Sequence, residues 1–193
     1  MGRRREFDEQ VVLDRAMHLF WRQGYAATSV RDLGEALDLR PSSLYAAFGD
    51  KHRLFLRALD EYARTESVTA LRHLSTDGPV RSVIRAWLMD SVECLQTDPE
   101  ARGCFMVNTA TELGASDPEA AARVRTAFDG IRAAVHDLLL RGRRDGELAP
   151  DLDVPGVSSL LTTTMIGLRA QGRGGATHDD LTGAVEAALT AVR

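Results

Sequence analysis

The stretch that decides the fold is residues 24–55, GYAATSVRDLGEALDLRPSSLYAAFGDKHRLF. Gly24 ends one helical pattern, and Thr28 or Ser29 is placed to cap the next, with Asp32 in its first turn. Leu33 and Leu37 lie four residues apart, one helical face, and Leu39 follows in a tight turn around Asp38. Asp tolerates a left-handed backbone better than most residues, which suits that turn. Pro41 is a good first residue for a third helix, on which Leu44 and Phe48 share a face. Two short helices joined this way leave Arg40, Pro41, Ser42, Ser43 and Tyr45 pointing outward. Small hydroxyls beside an arginine and a tyrosine suit a helix that enters a DNA major groove.

Outward from this stretch, helical periodicity continues in both directions. Val12, Ala16, Leu19 and Phe20 form one apolar stripe before Gly24. Asp50 is set to cap a fourth helix with a stripe of Leu54, Ala58, Leu59 and Tyr62, stopped by Asp77-Gly78-Pro79. Val80, Val83, Ile84, Trp87, Leu88 and Ser91 make the next stripe. A shorter helix is expected at about 102–113. Asp117-Pro118-Glu119 is a strong start signal for a long one, running past Val124, Phe128, Ile131, Val135 and Leu138 towards Gly146. Two more follow at about 154–170 and 178–192. The expectation is an all-α chain of about nine helices: a helix-turn-helix domain over 1–50 and a helical effector-binding and dimerisation domain over 51–193.

Composition agrees. The 193 residues are 44% hydrophobic and poor in aromatics, enough for one sizeable helical core. The net charge of -4 is unevenly spread: residues 1–60 carry ten basic and nine acidic residues, and residues 61–193 carry 14 and 19. A DNA module needs basic residues facing phosphates, not a basic chain. No apolar run is long enough to span a bilayer and no signal core follows the basic start, so a cytoplasmic protein is expected. Arg3, Arg4 and Arg5 are either an arm for the minor groove or a solvated tail. Cys94 and Cys104 are too few for a disulfide scaffold or a cysteine zinc site.

The ordered pattern over residues 10–57 resembles the DNA-binding domain of the TetR, or tetracycline-repressor-like, family. The family's Gly-(Phe/Tyr)-x-x-(Thr/Ser)-(Ser/Thr)-(Val/Ile) entry appears as Gly24 to Val30. Its Leu-Tyr-x-x-Phe-x-x-Lys signature appears as Leu44, Tyr45, Phe48 and Lys51. The resemblance implies phosphate contacts from Thr28, Tyr45 and Lys51, and base contacts from Arg40, Ser42 and Ser43. Three departures bear on target choice: Leu37-Asp38 where an alanine-glycine pair is common, Arg40 where a capping Ser or Thr is frequent, and Ala47 for a frequent His or Tyr.

The resemblance also implies a ligand-responsive regulator, usually a repressor, that binds a palindromic operator as a homodimer. The expected dimer faces are Leu160, Leu161, Thr164, Met165 and Leu168 with Leu181, Val185, Ala188 and Leu189; the alternative is an intramolecular core. Trp87, Cys104, Met106, Asn108, Phe128 and Met165 are candidates for an effector pocket, or else ordinary core. Asn108 needs a partner if buried. Cys104 stands near a helix start, a setting that favours a reactive thiolate, and in some relatives such a cysteine senses electrophiles or oxidants; the alternative is a small buried hydrophobe.

No cofactor or metal is expected. A di-iron bundle needs Glu-x-x-His pairs, and none of the five histidines follows a glutamate by three. There is no His-x-x-x-His, no Gly-x-Ser-x-Gly elbow and no phosphate loop. A helical-bundle enzyme and a protein-binding adaptor are the alternative classes.

Overall fold

A computed structural model describes residues 7–98, 100 and 102–193, apart from the side chains at 66, 67 and 95–97. The candidate arm Arg3–Arg5 lies outside the described residues. Among those described there are nine α-helices and no strand: α1 (Glu9–Gln23), α2 (Val30–Leu37), α3 (Pro41–Phe48), α4 (Lys51–Leu74), α5 (Val80–Thr97), α6 (Phe105–Leu113), α7 (Pro118–Arg144), α8 (Val154–Arg173) and α9 (His178–Leu189).

Most helix starts are set by a side chain that satisfies amides the helix leaves orphaned. The Asp8 carboxylate accepts from the Gln10 and Val11 amides. Ser29, not Thr28, caps α2, in a reciprocal box with Asp32. Asp50, Asp117, Asp153 and Thr177 cap α4, α7, α8 and α9. Arg40 precedes α3 without any side-chain cap, and Pro41 supplies the preset φ instead. The turn after α2 closes on Asp38 in the left-handed region, φ 52°. Helix α6 begins at Phe105 rather than near 102, because Gly103 takes a positive φ of 69° and Cys104, extended, is the N-cap.

The buried side chains form two clusters. One joins α1–α4 to α6 and the start of α7; the other holds Leu74, α5, the second half of α7, α8 and α9. Ile166 packs against both. The first cluster has an aromatic spine. Phe55 meets Phe20 edge-on at 5.2 Å and Phe105 at 5.7 Å between ring centroids. Tyr62 meets Phe105 at 5.6 Å and Trp21 at 5.0 Å. Phe105 thus brings the first residue of α6 into the core under the first three helices. The buried core does not divide at residue 50.

Candidate nucleic-acid interface

Helix α3 is held from below by Leu44, fully buried, and Phe48, nearly so. Its other side faces water: Arg40, Pro41, Ser42 and Ala46 are exposed, Ser43 is half-buried, and Tyr45 is 43% exposed. Large polar groups displayed on a helix that is anchored by two apolar residues form a rigid surface suited to reading a groove.

Lys51 opens α4 beside this surface. Its Nζ lies 4.2 Å from the centre of the Tyr25 ring, a cation–π contact. Burial lowers the Lys51 pKa from its ordinary value, while the carboxylates of Glu112 and Asp32 oppose that shift. Arg31 projects from the first turn of α2, 86% exposed, its Nε 2.8 Å from Glu35 Oε1. Surface pairs of this kind are weak, so the guanidinium is readily shared with a phosphate. The family signature does not include position 31, which the fold leaves exposed.

Thr28 does not lie where the resemblance put it. Its side chain is 0% exposed, and its hydroxyl donates to the Gly24 carbonyl at 2.6 Å. It closes the turn between α1 and α2, so its motif role is structural here. Gly24 itself takes φ +84°, and a Cβ there would lie 2.8 Å from Glu112 Oε2. The glycine is needed for both reasons.

Glu112, from the far end of α6, was not foreseeable from local sequence. Its Oε2 accepts from the Tyr25 amide at 3.0 Å and its Oε1 from the Ala26 amide at 2.7 Å. Both amides belong to the turn that leads into α2. A second tie runs from the head of α4: His52 Nε2 is 2.7 Å from Asp117 Oδ2, the cap of α7. The reading surface is therefore bound to α6 and α7 by charged hydrogen bonds as well as by the aromatic spine.

The candidate pocket residues other than Asn108 divide between the two clusters. Trp87 and Met165 are buried in the second cluster, Cys104 and Met106 in the first, and Phe128 packs half-buried against the first. Helical spacing finds buried faces but does not tell packed core from cavity wall. Asn108 differs. It lines a cleft between α1, α6 and the end of α8, and its amide donates to the Arg102 carbonyl at 2.9 Å. Cys104 is buried at the N-cap of α6, and Cys94 is exposed; both are free thiols.

The expected dimer faces need a similar correction. Leu161, Met165, Leu168, Leu181, Val185, Ala188 and Leu189 are buried within their own protomer. The apolar stripes of α8 and α9 pack on α5 and α7, since a stripe marks the buried face and not what covers it. Of the residues named, Leu160 is outward at 45% exposure and Thr164 is half-exposed. Around them lie small exposed residues: Ser159, Thr163 and Ala170 on α8, and Gly183, Ala184 and Ala187 on α9. A Cβ added at Gly167 or Gly183 would meet nothing.

Comparison with known proteins agrees with this architecture. Residues 12–58 match the family model for bacterial regulatory proteins of the tetR family, and residues 79–191 match the tetracyclin repressor-like C-terminal domain. The chain is 32% identical over 169 residues to the uncharacterized HTH-type transcriptional regulator YezE of Bacillus subtilis, covering 87% of each chain. It is 30% identical to the HTH-type transcriptional repressor ComR of Escherichia coli, covering 93% of this chain and 86% of the relative. A cysteine mutant of the TetR family regulator CifR, solved in complex with 26-bp double-strand operator DNA, superposes with a TM-score of 0.86. That match has 31% identity and covers 100% of both chains. With a reading helix built on the signature residues and both halves matched, the chain belongs to the TetR family of bacterial DNA-binding transcriptional regulators.

Proposed function

We propose that the chain is a homodimeric repressor that grips a palindromic operator through two copies of α3 and releases it when a small molecule binds. The observation that carries this reading is the outward display of Arg40, Ser42 and Tyr45 on a helix anchored by Leu44 and Phe48. Arg40, Pro41, Ser42 and Ser43 meet base edges, with Arg40 the main hydrogen-bond donor to a guanine. Tyr45, Lys51 and Arg31 hold phosphates on either side and set the register. A single helix-turn-helix reads few base pairs, so two are needed, spaced about 34–36 Å for adjacent major grooves.

The face that supports dimerisation is centred on Leu160, Thr164 and Gly167 of α8 with Gly183 and Ala187 of α9. Small residues there let two helices of each protomer approach closely as a four-helix bundle. An effector acts by favouring a different spacing of the two reading helices. A coupling of about 1–3 kcal/mol changes operator affinity roughly 5- to 150-fold. We read the chain as a regulator rather than an enzyme, working in the cytoplasm where bacterial DNA lies. Among the described residues no helix is long and apolar enough to cross a membrane.

Selection of random duplex DNA by the purified protein, then anisotropy titration across salt, tests the reading. The expected result is a palindromic winner bound by two chains with a steep salt slope, weakened about tenfold or more by Tyr45→Ala or Lys51→Ala. No enriched sequence, or binding indifferent to both substitutions, would overturn it.

A further inference from the structure

Between the end of α1, the outer face of α6 and the end of α8 lies a half-enclosed cleft of about 220 Å³. Its walls include Trp21, Phe105, Asn108, Thr109, Glu112 and Arg173. We propose that it is a binding site for a small zwitterion of amino-acid size, carrying an ammonium and a carboxylate.

Three observations point to that chemistry. Glu112 supplies an anion whose two oxygens each accept one backbone amide, leaving a further lone pair on each for a ligand ammonium. Arg173 supplies a cation: its stem packs on Gly103, where a Cβ would stand 3.2 Å from Arg173 Cβ, and among the described residues its guanidinium has no ion pair. Glu112 and Arg173 both line the cleft and do not pair with each other, an arrangement that suits a bridging ligand with the reverse polarity. The third is Thr109, 1% exposed, whose hydroxyl has no hydrogen-bond partner. An orphaned hydroxyl in the wall of a polar cleft costs stability until something bonds to it. Trp21 and Phe105 give the ligand's carbon chain an apolar wall.

The location gives binding a consequence. A ligand ammonium on the open lone pairs of Glu112 draws on the negative charge that the Tyr25 and Ala26 amides share, and so acts on the turn leading to α2. The site thereby deepens the effector reading above and rests on it for that consequence, while binding itself is measured without DNA.

The test uses full-length ¹⁵N-labelled protein, following the Trp21 indole N–H, which donates to the Gly103 carbonyl at 3.0 Å. Its resonance is identified with Trp21→Phe. β-Alanine and γ-aminobutyrate are the probes; acetate and ethylammonium, each with one charge, are the controls. The expected result is a saturable shift with a zwitterion, about tenfold weaker for the controls and for Arg173→Gln and Thr109→Val, each lost hydrogen bond or charge being of that order. Circular dichroism should show both variants fully helical. The site is overturned if neither zwitterion gives a saturable shift, if acetate matches them, or if weakening is confined to Arg173→Gln, which would mean a surface ion contact only. Loss of operator binding with the shift intact would instead count against the regulatory reading alone.

Discussion

His52 Nε2 and Asp117 Oδ2 stand 2.7 Å apart, joining the first turn of α4 to the cap of α7 across 65 residues of chain. The same carboxylate accepts from the Glu119 and Ala120 amides through Oδ1. One side chain thus starts α7 and anchors the first turn of α4.

This sharing predicts a pH signature. Burial pushes the Asp117 carboxyl upward, but the Ala120 amide, His52 and the Glu119 amide together hold its pKa below the ordinary value. A depressed folded pKa means stability that is present above the unfolded value, about 4, and lost as pH falls through the folded one. Asp117→Asn keeps a competent cap but cannot titrate, so its urea midpoint should fall less between about pH 5 and 2 than that of the parent. Parallel pH profiles would refute this. Asp117→Ala removes the cap as well, and should cost about 1–2 kcal/mol at neutral pH.

Asp38 is the one non-glycine residue with positive φ among those described. Asp38→Gly relieves that strain and should stabilise the protein by a few tenths to about 1 kcal/mol, whereas a β-branched Asp38→Val should destabilise it by at least as much. Thermal melts of the two variants, read against the parent, should therefore move in opposite directions.

Glu112→Ala frees the Tyr25 and Ala26 amides, which are exposed enough for water to replace the lost acceptor. Stability should drop by only about 1 kcal/mol. Operator affinity should fall by more than that loss accounts for, since the turn into α2 is no longer fixed. Anisotropy titration at a temperature well below the melt separates the two; equal affinity for both proteins would count against the coupling.

Leu160 and Leu161 are adjacent in sequence and opposite in role. Leu160→Lys places charge on the exposed face of α8 and should give a folded monomer by sedimentation. Leu161→Ala leaves a cavity in a fully buried position and should cost about 2–5 kcal/mol without changing the dimer's preferred geometry. A Leu160→Lys protein that still sediments as a dimer would remove that face from the interface.

What was legible in the sequence follows from range. Helix starts were readable because caps act over three residues, as at Ser29, Asp50 and Asp117. The reading surface was readable because Leu44 and Phe48 fix which side of α3 is outward. Thr28 misled because a motif position can serve a turn as well as a phosphate, and only its buried hydroxyl on Gly24 decides. Periodicity found the stripes of α8 and α9 but could not say that α5 and α7 cover them. Glu112 carried no local signal at all, since its partners lie more than 80 residues away.

The aromatic spine has a bearing on how such regulators can be recombined. A chimera that swaps the first 50 residues for those of a relative would cut between Phe20 and its neighbour Phe55, and between Trp21 and its neighbour Tyr62. The graft would meet a foreign ring set, and a new operator preference would arrive with a poorly seated head. On the operator reading proposed above, specificity is better transplanted as the handful of outward side chains on α3, leaving the interdigitated rings with the body that shaped them.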